Sequence, residues 1–141
     1  MQNSSYEEQK ISRVTGFSGY CGVVIDEITE GHCTSHIDLE ERHRNPRGIA
    51  HGGLIFTLMD TTGGTAAICT GDERRPLVSR CADIHYILPV TGEKMVCRAE
   101  VIRAGKQMAL VKTDLYDDKE VLCATASFEF FYLKDKDKKT E

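Results

Sequence analysis

With 141 residues, the chain is long enough for one domain that buries a core without disulfide support. Its net charge of −4, from 18 basic and 22 acidic residues, offers no basic surface for nucleic acid or for an anionic membrane. The first ten residues are polar, and no apolar run approaches the roughly 20 residues of a membrane span. We therefore expect a cytosolic protein that binds neither nucleic acid nor membrane.

The N-terminal third predicts a short helix followed by two strands. A helix is expected over 6–14, ended by Gly16 and Gly19, because glycine disfavours helix continuation. Alternating apolar and polar residues predict strands over 22–29 and 33–39, joined by a Glu-Gly turn. This region carries no recognisable motif.

The chain has six cysteines, an even number that by itself suggests disulfides. No Cys-x-x-Cys pair and no secretory signal are present, so we expect six reduced thiols packed among apolar neighbours. The cysteines are Cys21, Cys33, Cys69, Cys81, Cys97 and Cys123. His32 and His36 share one face of a strand, but a structural zinc needs four ligands, and no second cluster follows. We interpret them as partly exposed histidines and expect no metal site.

A polar, glycine-rich loop runs directly into the most apolar part of the chain, a helix predicted over 53–70. A helix that is apolar nearly all round is a buried helix. Its first amides, around Gly52 and Gly53, carry partial positive charge and can donate to an oxyanion. This junction is therefore where an enzyme could polarise a carbonyl group.

The helix also carries a single carboxylate, Asp60, on the same face as Gly63, Gly64 and Ala67. Burying a lone carboxylate is unfavourable unless it is hydrogen-bonded, so Asp60 is either a structural cap or a functional group. Each mid-helix glycine costs about 0.5–1 kcal/mol relative to alanine. The small-residue strip therefore indicates close backbone packing, a ligand or a second subunit beside the carboxylate.

After the helix the hydrophobic period changes from 3.6 to 2, which predicts four strands over 77–88, 94–103, 107–116 and 120–133. Short connections favour an antiparallel meander. One face of the last strand is apolar and needs a cover, which the helix supplies; it is formed by Leu122, Ala124, Ala126, Phe128 and Phe130. The expected class is α+β, with one domain over 1–133 and a disordered charged tail over 134–141.

The loop and helix together resemble a known family. Asn45-x-x-Gly48-x-x-His51-Gly52-Gly53, with Asp60 seven residues later, is similar to the hotdog-fold acyl-CoA thioesterases, specifically the phenylacetate-degradation subfamily. The resemblance continues through Leu77-Val78-Ser79, Ile84-His85-Tyr86-Ile87-Leu88-Pro89 and Ala104-Gly105-Lys106-Gln107-Met108-Ala109. It implies a long central helix wrapped by an antiparallel sheet, which the residue pattern indicates independently.

The resemblance also implies roles for individual residues. Asp60 would be the base or nucleophile, and because an unperturbed aspartate has a pKa of roughly 3.9, it stays ionised at neutral pH without a neighbouring histidine. The Gly52 N–H would be the oxyanion donor. Asn45 would position the thioester carbonyl or the water, and Ser79 would orient the water. His51 would hold the loop and its asparagine, and Gly53 would support it.

The same resemblance implies a substrate and partners. The substrate would be a small aryl or short- to medium-chain acyl-CoA, hydrolysed without a metal or redox cofactor. Candidates for contacting its phosphates are Arg80, Arg103 and Lys106, although exposed cations are common on any surface. The protein would be a homodimer, with a dimer of dimers left open. Asn45 and Gly52 would come from one chain, and Asp60 and Ser79 from the other.

Two other functions remain open at this point. A non-catalytic acyl-CoA binding module would not need a carboxylate opposite an oxyanion donor. A hotdog hydratase or dehydratase would need a histidine paired with an acid for proton transfer, and His85 with Asp83 is the candidate pair downstream of the helix. The polar stretch around Arg80 departs from the family strand and leaves the shape of the substrate pocket open.

Overall fold

The computed structural model describes residues 14–134. Within this range lie two helices and six strands: α1 (Gly16–Tyr20), β1 (Val24–Thr29), β2 (His32–Asp38), α2 (Gly52–Ile68), β3 (Leu77–Tyr86), β4 (Lys94–Ala104), β5 (Met108–Asp117) and β6 (Leu122–Tyr132), with a 3-10 turn at Glu41–His43. The predicted N-terminal helix, apart from Val14, and the predicted tail, apart from Lys134, lie outside the described residues. Within 14–134, no helix is long and apolar enough to cross a membrane.

The six strands form one antiparallel sheet in the order β1-β2-β4-β5-β6-β3, and α2 packs across one face of it. The α+β architecture, with one long helix against an antiparallel sheet, is confirmed. Each strand covers the expected segment to within two residues at its ends. β1 and β3 are the edge strands.

The predicted meander is wrong in one connection, because β3 pairs with β6 and not with β4. After Tyr86 the chain crosses the end of the sheet, where the Ile87 and Leu88 amides both donate to the Cys123 carbonyl. Further on, the Val90 carbonyl accepts from Ala50, and Val90 itself is buried. These contacts direct the segment away from β3, and β4 then pairs with β2 and β5. Only β4, β5 and β6 therefore form a meander.

The core lies between α2 and the inner face of the sheet. Leu58 and Met59 on the helix are fully buried, as are Phe128 and Phe130 on β6, whose rings stack at 5.6 Å between centroids. The predicted inner face of β6 is confirmed except for Leu122, which is exposed at the strand end. Because apolar burial contributes roughly 25 cal/mol per Å², this layer dominates the stability of the fold.

The space beside the two mid-helix glycines is filled by the chain's own sheet. A Cβ added at Gly63 would lie 3.1 Å from the Thr113 methyl group, and one at Gly64 would lie 3.5 Å from the Phe130 ring. Close packing therefore explains Gly63, whereas the distance at Gly64 is an ordinary van der Waals contact. The alternatives of a ligand or a second subunit beside this strip apply to Asp60 and Gly64.

A short helix opens the described part of the chain. Gly16, at φ +62°, and Gly19 lie within α1, and the glycine that follows this helix is Gly22, at φ +88°. The predicted helix that Gly16 and Gly19 were expected to end lies, apart from Val14, outside the described residues. Gly19 sits against the Val14 carbonyl, where a Cβ would be 2.7 Å from the oxygen. A side chain at this position would clash with the preceding turn, so glycine is needed for close approach.

All six cysteines are free thiols, and five of them are buried. Burial raises the pKa of Cys97 to about 12, which makes that thiol unreactive. The expectation of packing is wrong for Cys81, which is exposed. It lies on the edge strand β3, just after an irregularity in the pairing with β6, and no further strand of the described chain covers it.

Candidate active site

The catalytic carboxylate expected from the sequence lies at the middle of α2, beside the start of β3. The Asp60 side chain is partly exposed, and its Oδ1 accepts a hydrogen bond of 2.6 Å from the Ser79 hydroxyl. α2 supplies the first residue and β3 the second, so the packing of the helix on the edge strand brings them together. These two predicted site residues therefore form one group.

Burial raises the pKa of Asp60 above its ordinary value, and the Ser79 hydroxyl opposes that rise by stabilising the ionised form. A carboxylate with a raised pKa is a stronger base than a fully solvated one. The hydroxyl also fixes the direction of one carboxylate oxygen. The Asp60 carboxylate can therefore take a proton from a group placed beside its second oxygen, or attack that group as a nucleophile.

A cleft of about 340 Å³ opens beside this carboxylate. Its lining is mainly apolar apart from Asp60, two threonines and Ser79; the other residues are Gly64, Ile68, Leu77, Val78 and Phe130. Its volume is near the lower end of small-molecule sites, which run from about 300 to 1,000 Å³. A small apolar group fits there.

The second group of predicted site residues surrounds the start of α2. His51 is the N-cap residue, and its Nδ1 accepts from the Gly53 amide at 2.8 Å. Its carbonyl accepts from the Leu54 and Ile55 amides at 3.0 and 3.1 Å. One residue thus satisfies three of the four first-turn amides, and the Gly52 N–H is the one left without a partner among the described residues.

Nothing in the fold of the single chain requires glycine at position 52. Its φ is not positive, and a Cβ there would lie 3.6 Å from the Tyr86 ring, an ordinary van der Waals distance. The Tyr86 hydroxyl donates to the Gly52 carbonyl at 3.0 Å. Tyr86 lies in one of the stretches that carry the family resemblance, but the sequence did not single it out as a site residue, because its partner is a backbone carbonyl.

Asn45 lies in the loop before α2, where it forms a local turn. Its Oδ1 accepts from the Arg47 amide at 2.9 Å, and its backbone amide donates to the Ile49 carbonyl at 2.9 Å. The side-chain NH₂ group has no partner in the described part of the chain and is free to donate. The capping bond of His51 goes to Gly53 and not to Asn45, so the histidine holds the helix start directly.

The two groups lie far apart within one chain. Gly52 precedes Asp60 by eight residues, about 12 Å along the helix axis. Strand β3 contacts both groups: Ser79, near its start, bonds to Asp60, and Tyr86, at its end, bonds to Gly52. The extended chain from Ser79 to Tyr86 spans about 23 Å. One chain therefore presents two half-sites.

The three cations predicted to contact phosphates lie in two places. Arg103 and Lys106 line one cleft at the β4–β5 hairpin, together with Glu129. The Arg80 guanidinium lies over the Phe131 ring, 5.5 Å from its centroid. Arg103 and Lys106 therefore share one cleft, whereas Arg80 lies on β3 and packs against Phe131 of β6.

The histidine and acid considered for hydratase chemistry are not paired. His85 and Asp83 are both exposed on β3, and no hydrogen bond joins them within 14–134. The shortest histidine–carboxylate contact there is between His36 and Asp26, at 2.7 Å on the opposite edge of the sheet. His36 is partly buried and His32 is exposed. Both lie on the strand surface, where we expected partly exposed histidines.

Comparison with known proteins agrees with this geometry. The family model of the thioesterase superfamily matches residues 47–124. Human acyl-coenzyme A thioesterase 13 is 35% identical over 109 residues, which cover 77% of this chain and 71% of that protein.

Two solved structures share the fold. The E. coli PaaI protein from the phenylacetic acid degradation operon superposes with a TM-score of 0.83 at 18% identity, covering 94% of both chains. Streptococcus mutans smu.793, solved with acetyl CoA bound, superposes with a TM-score of 0.77 at 22% identity, covering 86% of this chain and 94% of that one. The resemblance to hotdog-fold thioesterases is confirmed. The chain belongs to the thioesterase superfamily and is a thioester hydrolase.

Proposed function

We propose that the protein hydrolyses a small aryl or short- to medium-chain acyl-CoA to the free acid and CoA, with Asp60 as base or nucleophile and the Gly52 N–H as oxyanion donor. The observation that carries this proposal is the half-buried Asp60 carboxylate, oriented by Ser79 at the mouth of an apolar cleft. The names of human acyl-coenzyme A thioesterase 13 and of the acetyl CoA complex of smu.793 support acyl-CoA as the substrate class.

In the water-mediated form of the reaction, Asp60 takes a proton from a water molecule whose oxygen attacks the thioester carbon. The carbonyl π electrons move to its oxygen, and the resulting oxyanion accepts a hydrogen bond from the Gly52 N–H. Collapse of the tetrahedral intermediate breaks the C–S bond, and the CoA thiolate takes the proton back from Asp60. Direct attack by the carboxylate instead breaks the C–S bond, expels the CoA thiolate and forms a mixed anhydride, which water then hydrolyses to the free acid and the Asp60 carboxylate. Neither route calls for a metal ion or a redox cofactor.

The two half-sites join if a second copy pairs with the edge strand β3. All ten side chains of this strand are partly or fully exposed, and the strand edge carries unpaired backbone groups. Antiparallel pairing of β3 with its copy places the start of one strand against the end of the other. Asp60 and Ser79 then face Gly52 of the partner subunit, and a two-fold axis creates two equivalent sites. A dimer of dimers is compatible with this arrangement.

The size of the Asp60 cleft supports a small acyl group, because about 340 Å³ leaves little room for a long chain. Arg103 and Lys106, at one hairpin, are the candidates for the phosphates of CoA, with Arg80 on β3 as the third. We also propose a cytoplasmic location, where acyl-CoA is available and where free cysteines remain reduced.

Replacement of Asp60 by asparagine tests the chemistry. Asp60→Asn keeps the shape and a hydrogen bond to Ser79 but removes the base, so kcat falls at least about 10²-fold while acyl-CoA binding persists. Thiol release is measured over aryl-acetyl, short and medium straight-chain acyl-CoAs. The matched control is Asp72→Asn, an exposed carboxylate between α2 and β3, outside both half-sites and outside the paired strand. Normal turnover by Asp60→Asn would refute the mechanism, and a wild type that binds but never hydrolyses these substrates would indicate a binding module.

Mixing inactive chains tests the shared site. Asn45→Ala and Asp60→Asn chains are co-refolded at equal concentration, which yields about half mixed dimers by random pairing. Each mixed dimer has one wholly native site and one doubly damaged site, so activity recovers to roughly a quarter of wild type. Refolding each variant alone is the control. If confirmed mixed dimers stay inactive, both residues serve one site from the same chain.

A further inference from the structure

Counting partners among residues 14–134, the N–H of Gly52 is the one unoccupied group in the two peptide units that flank the Gly52 Cα. In the preceding unit, the His51 carbonyl accepts from Leu54 and Ile55. In the following unit, the Gly53 amide donates to the His51 ring, and the Gly52 carbonyl accepts from Tyr86. The Gly52 N–H shares its planar unit with the His51 carbonyl, and rotation about the Gly52 N–Cα bond joins this unit to the one that Tyr86 holds. Fixing both units therefore fixes φ at Gly52 and the direction of the one remaining N–H.

Glycine makes such anchoring necessary. Without a Cβ it has the widest range of backbone angles, and at the first position of a helix its amide has no intrahelical acceptor. A donor that changes direction loses most of its electrostatic effect, since stabilisation of a developing oxyanion depends on preorganised dipoles. The helix bonds of His51 restrain one side of Gly52. Tyr86 restrains the other from a separate element of the fold.

The Tyr86 contact also ties the two half-sites to one strand. It links positions 34 residues apart, the end of β3 and the first residue of α2, and its ring packs beside the Gly52 Cα. Near its start the same strand carries Ser79, whose hydroxyl orients Asp60. Any displacement of the helix start relative to β3 would therefore be resisted by this hydrogen bond and ring contact.

We propose that Tyr86 is a positioning residue for the oxyanion donor: its hydroxyl, bonded to the Gly52 carbonyl, holds the Gly52 N–H in the direction that the transition state requires. Tyr86 acts through Gly52 and need not touch the reacting atoms. This inference rests on the proposed hydrolysis, in which the Gly52 N–H receives the oxyanion.

The test removes the hydroxyl and keeps the ring. Tyr86→Phe lowers kcat about tenfold with KM within about twofold of wild type, because the net effect of one neutral hydrogen bond is of that size and acts on the transition state. The matched control is Tyr116→Phe on β5, whose ring lies under the Arg98 guanidinium at 4.8 Å. This control keeps wild-type kcat.

Two CoA analogues separate positioning from general damage. A trifluoromethyl ketone analogue of the acyl-CoA forms an oxyanion-like species, so Tyr86→Phe weakens its inhibition about tenfold, the same loss as in kcat. An S-alkyl-CoA thioether has no carbonyl and inhibits the variant and the wild type equally. Equal losses for both analogues, or none for either, would overturn the role of Tyr86, as would kcat equal to that of Tyr116→Phe. The thermal midpoint of each variant checks that all are folded.

Failure of the underlying proposal has a different signature. If the chain does not hydrolyse acyl-CoA through Asp60, the wild type releases no thiol, or Asp60→Asn remains active. If only the inference about Tyr86 is wrong, the wild type is active, Asp60→Asn is inactive, and Tyr86→Phe behaves like Tyr116→Phe.

Discussion

Replacing Gly52 by alanine separates the requirements of folding from those of catalysis. The added Cβ lies 3.6 Å from the Tyr86 ring, in ordinary contact, and the backbone at this position is not in the left-handed region. Glycine at a helical position costs about 0.5–1 kcal/mol relative to alanine. Gly52→Ala therefore leaves the free energy of unfolding unchanged or raises it by up to about 1 kcal/mol. For a chain of this length, that shifts the thermal midpoint upward by at most about 4 °C.

Activity changes in the opposite direction. The new methyl group stands beside the Gly52 N–H, the first-turn amide that His51 leaves unoccupied, and hinders a carbonyl oxygen approaching it. Complete loss of one oxyanion donor costs about 2.7–4 kcal/mol of transition-state stabilisation. Because the N–H itself remains, kcat/KM should fall about 10- to 100-fold, a part of that loss. Thiol release and thermal unfolding are measured on the same preparations.

Two other glycines provide controls. At Gly71, φ is +89° and the surroundings are open, so alanine costs about 1 kcal/mol of stability through backbone strain alone. At Gly63, a Cβ would press on Thr113 and Phe130, so alanine destabilises by overpacking and shows the loss expected of a structural glycine. Gly71→Ala keeps its kcat on folded protein. If Gly52→Ala keeps wild-type kcat/KM, the thioester carbonyl does not bind at the Gly52 N–H. If the variant is clearly less stable than the wild type, Gly52 is a structural residue.

Three further outcomes are expected. Ser79→Ala removes the hydrogen bond that lowers the pKa of Asp60, so that pKa rises and the acidic limb of the kcat/KM profile moves to higher pH; an unchanged or downward-shifted limb would contradict the assignment. Because burial raises the folded-state pKa of Asp60, the native state favours its protonated form, and stability is lost as pH rises from the unfolded pKa through the folded one. Asp60→Asn should therefore raise the denaturant midpoint at pH 7, and a lower midpoint would mean that the carboxylate supports the fold. Thiol titration should find six free thiols after denaturation and rapid reaction of Cys81 alone in the native protein; fewer than six would reveal a disulfide.

The sequence pattern predicted the elements and the family resemblance placed Ser79 near Asp60, but neither predicted the whole arrangement. Periodicity locates α2 and β6 because their burial follows the local repeat. It says nothing about which strand lies beside β3, since pairing with β6 depends on contacts formed by the segment after Tyr86. The same limit applies to Gly63: its spacing left close packing, a ligand and a second subunit open, and the contacts with Thr113 and with a ring from β6 decide for packing.

The half-site at the start of α2 was predicted by resemblance more than by local chemistry. A glycine at a helix start is common, and the sequence alone cannot show that His51 satisfies the three neighbouring amides. Tyr86 was missed for a related reason, because its partner lies 34 residues away and is a backbone carbonyl. Hydrogen bonds to the backbone leave no pattern of side-chain types in a sequence.

The cap formed by His51 also bears on which anions can bind at this end of the helix. An uncapped helix start presents several converging amides, and this arrangement is what phosphate and sulfate ions recognise. Here three of those amides are already bonded to His51, and a single N–H points outward. One donor serves a carbonyl oxygen well but cannot enclose a tetrahedral dianion. The helix start is thus unsuited to inorganic phosphate and to the phosphate groups of released CoA, which leaves the amide open for the next thioester.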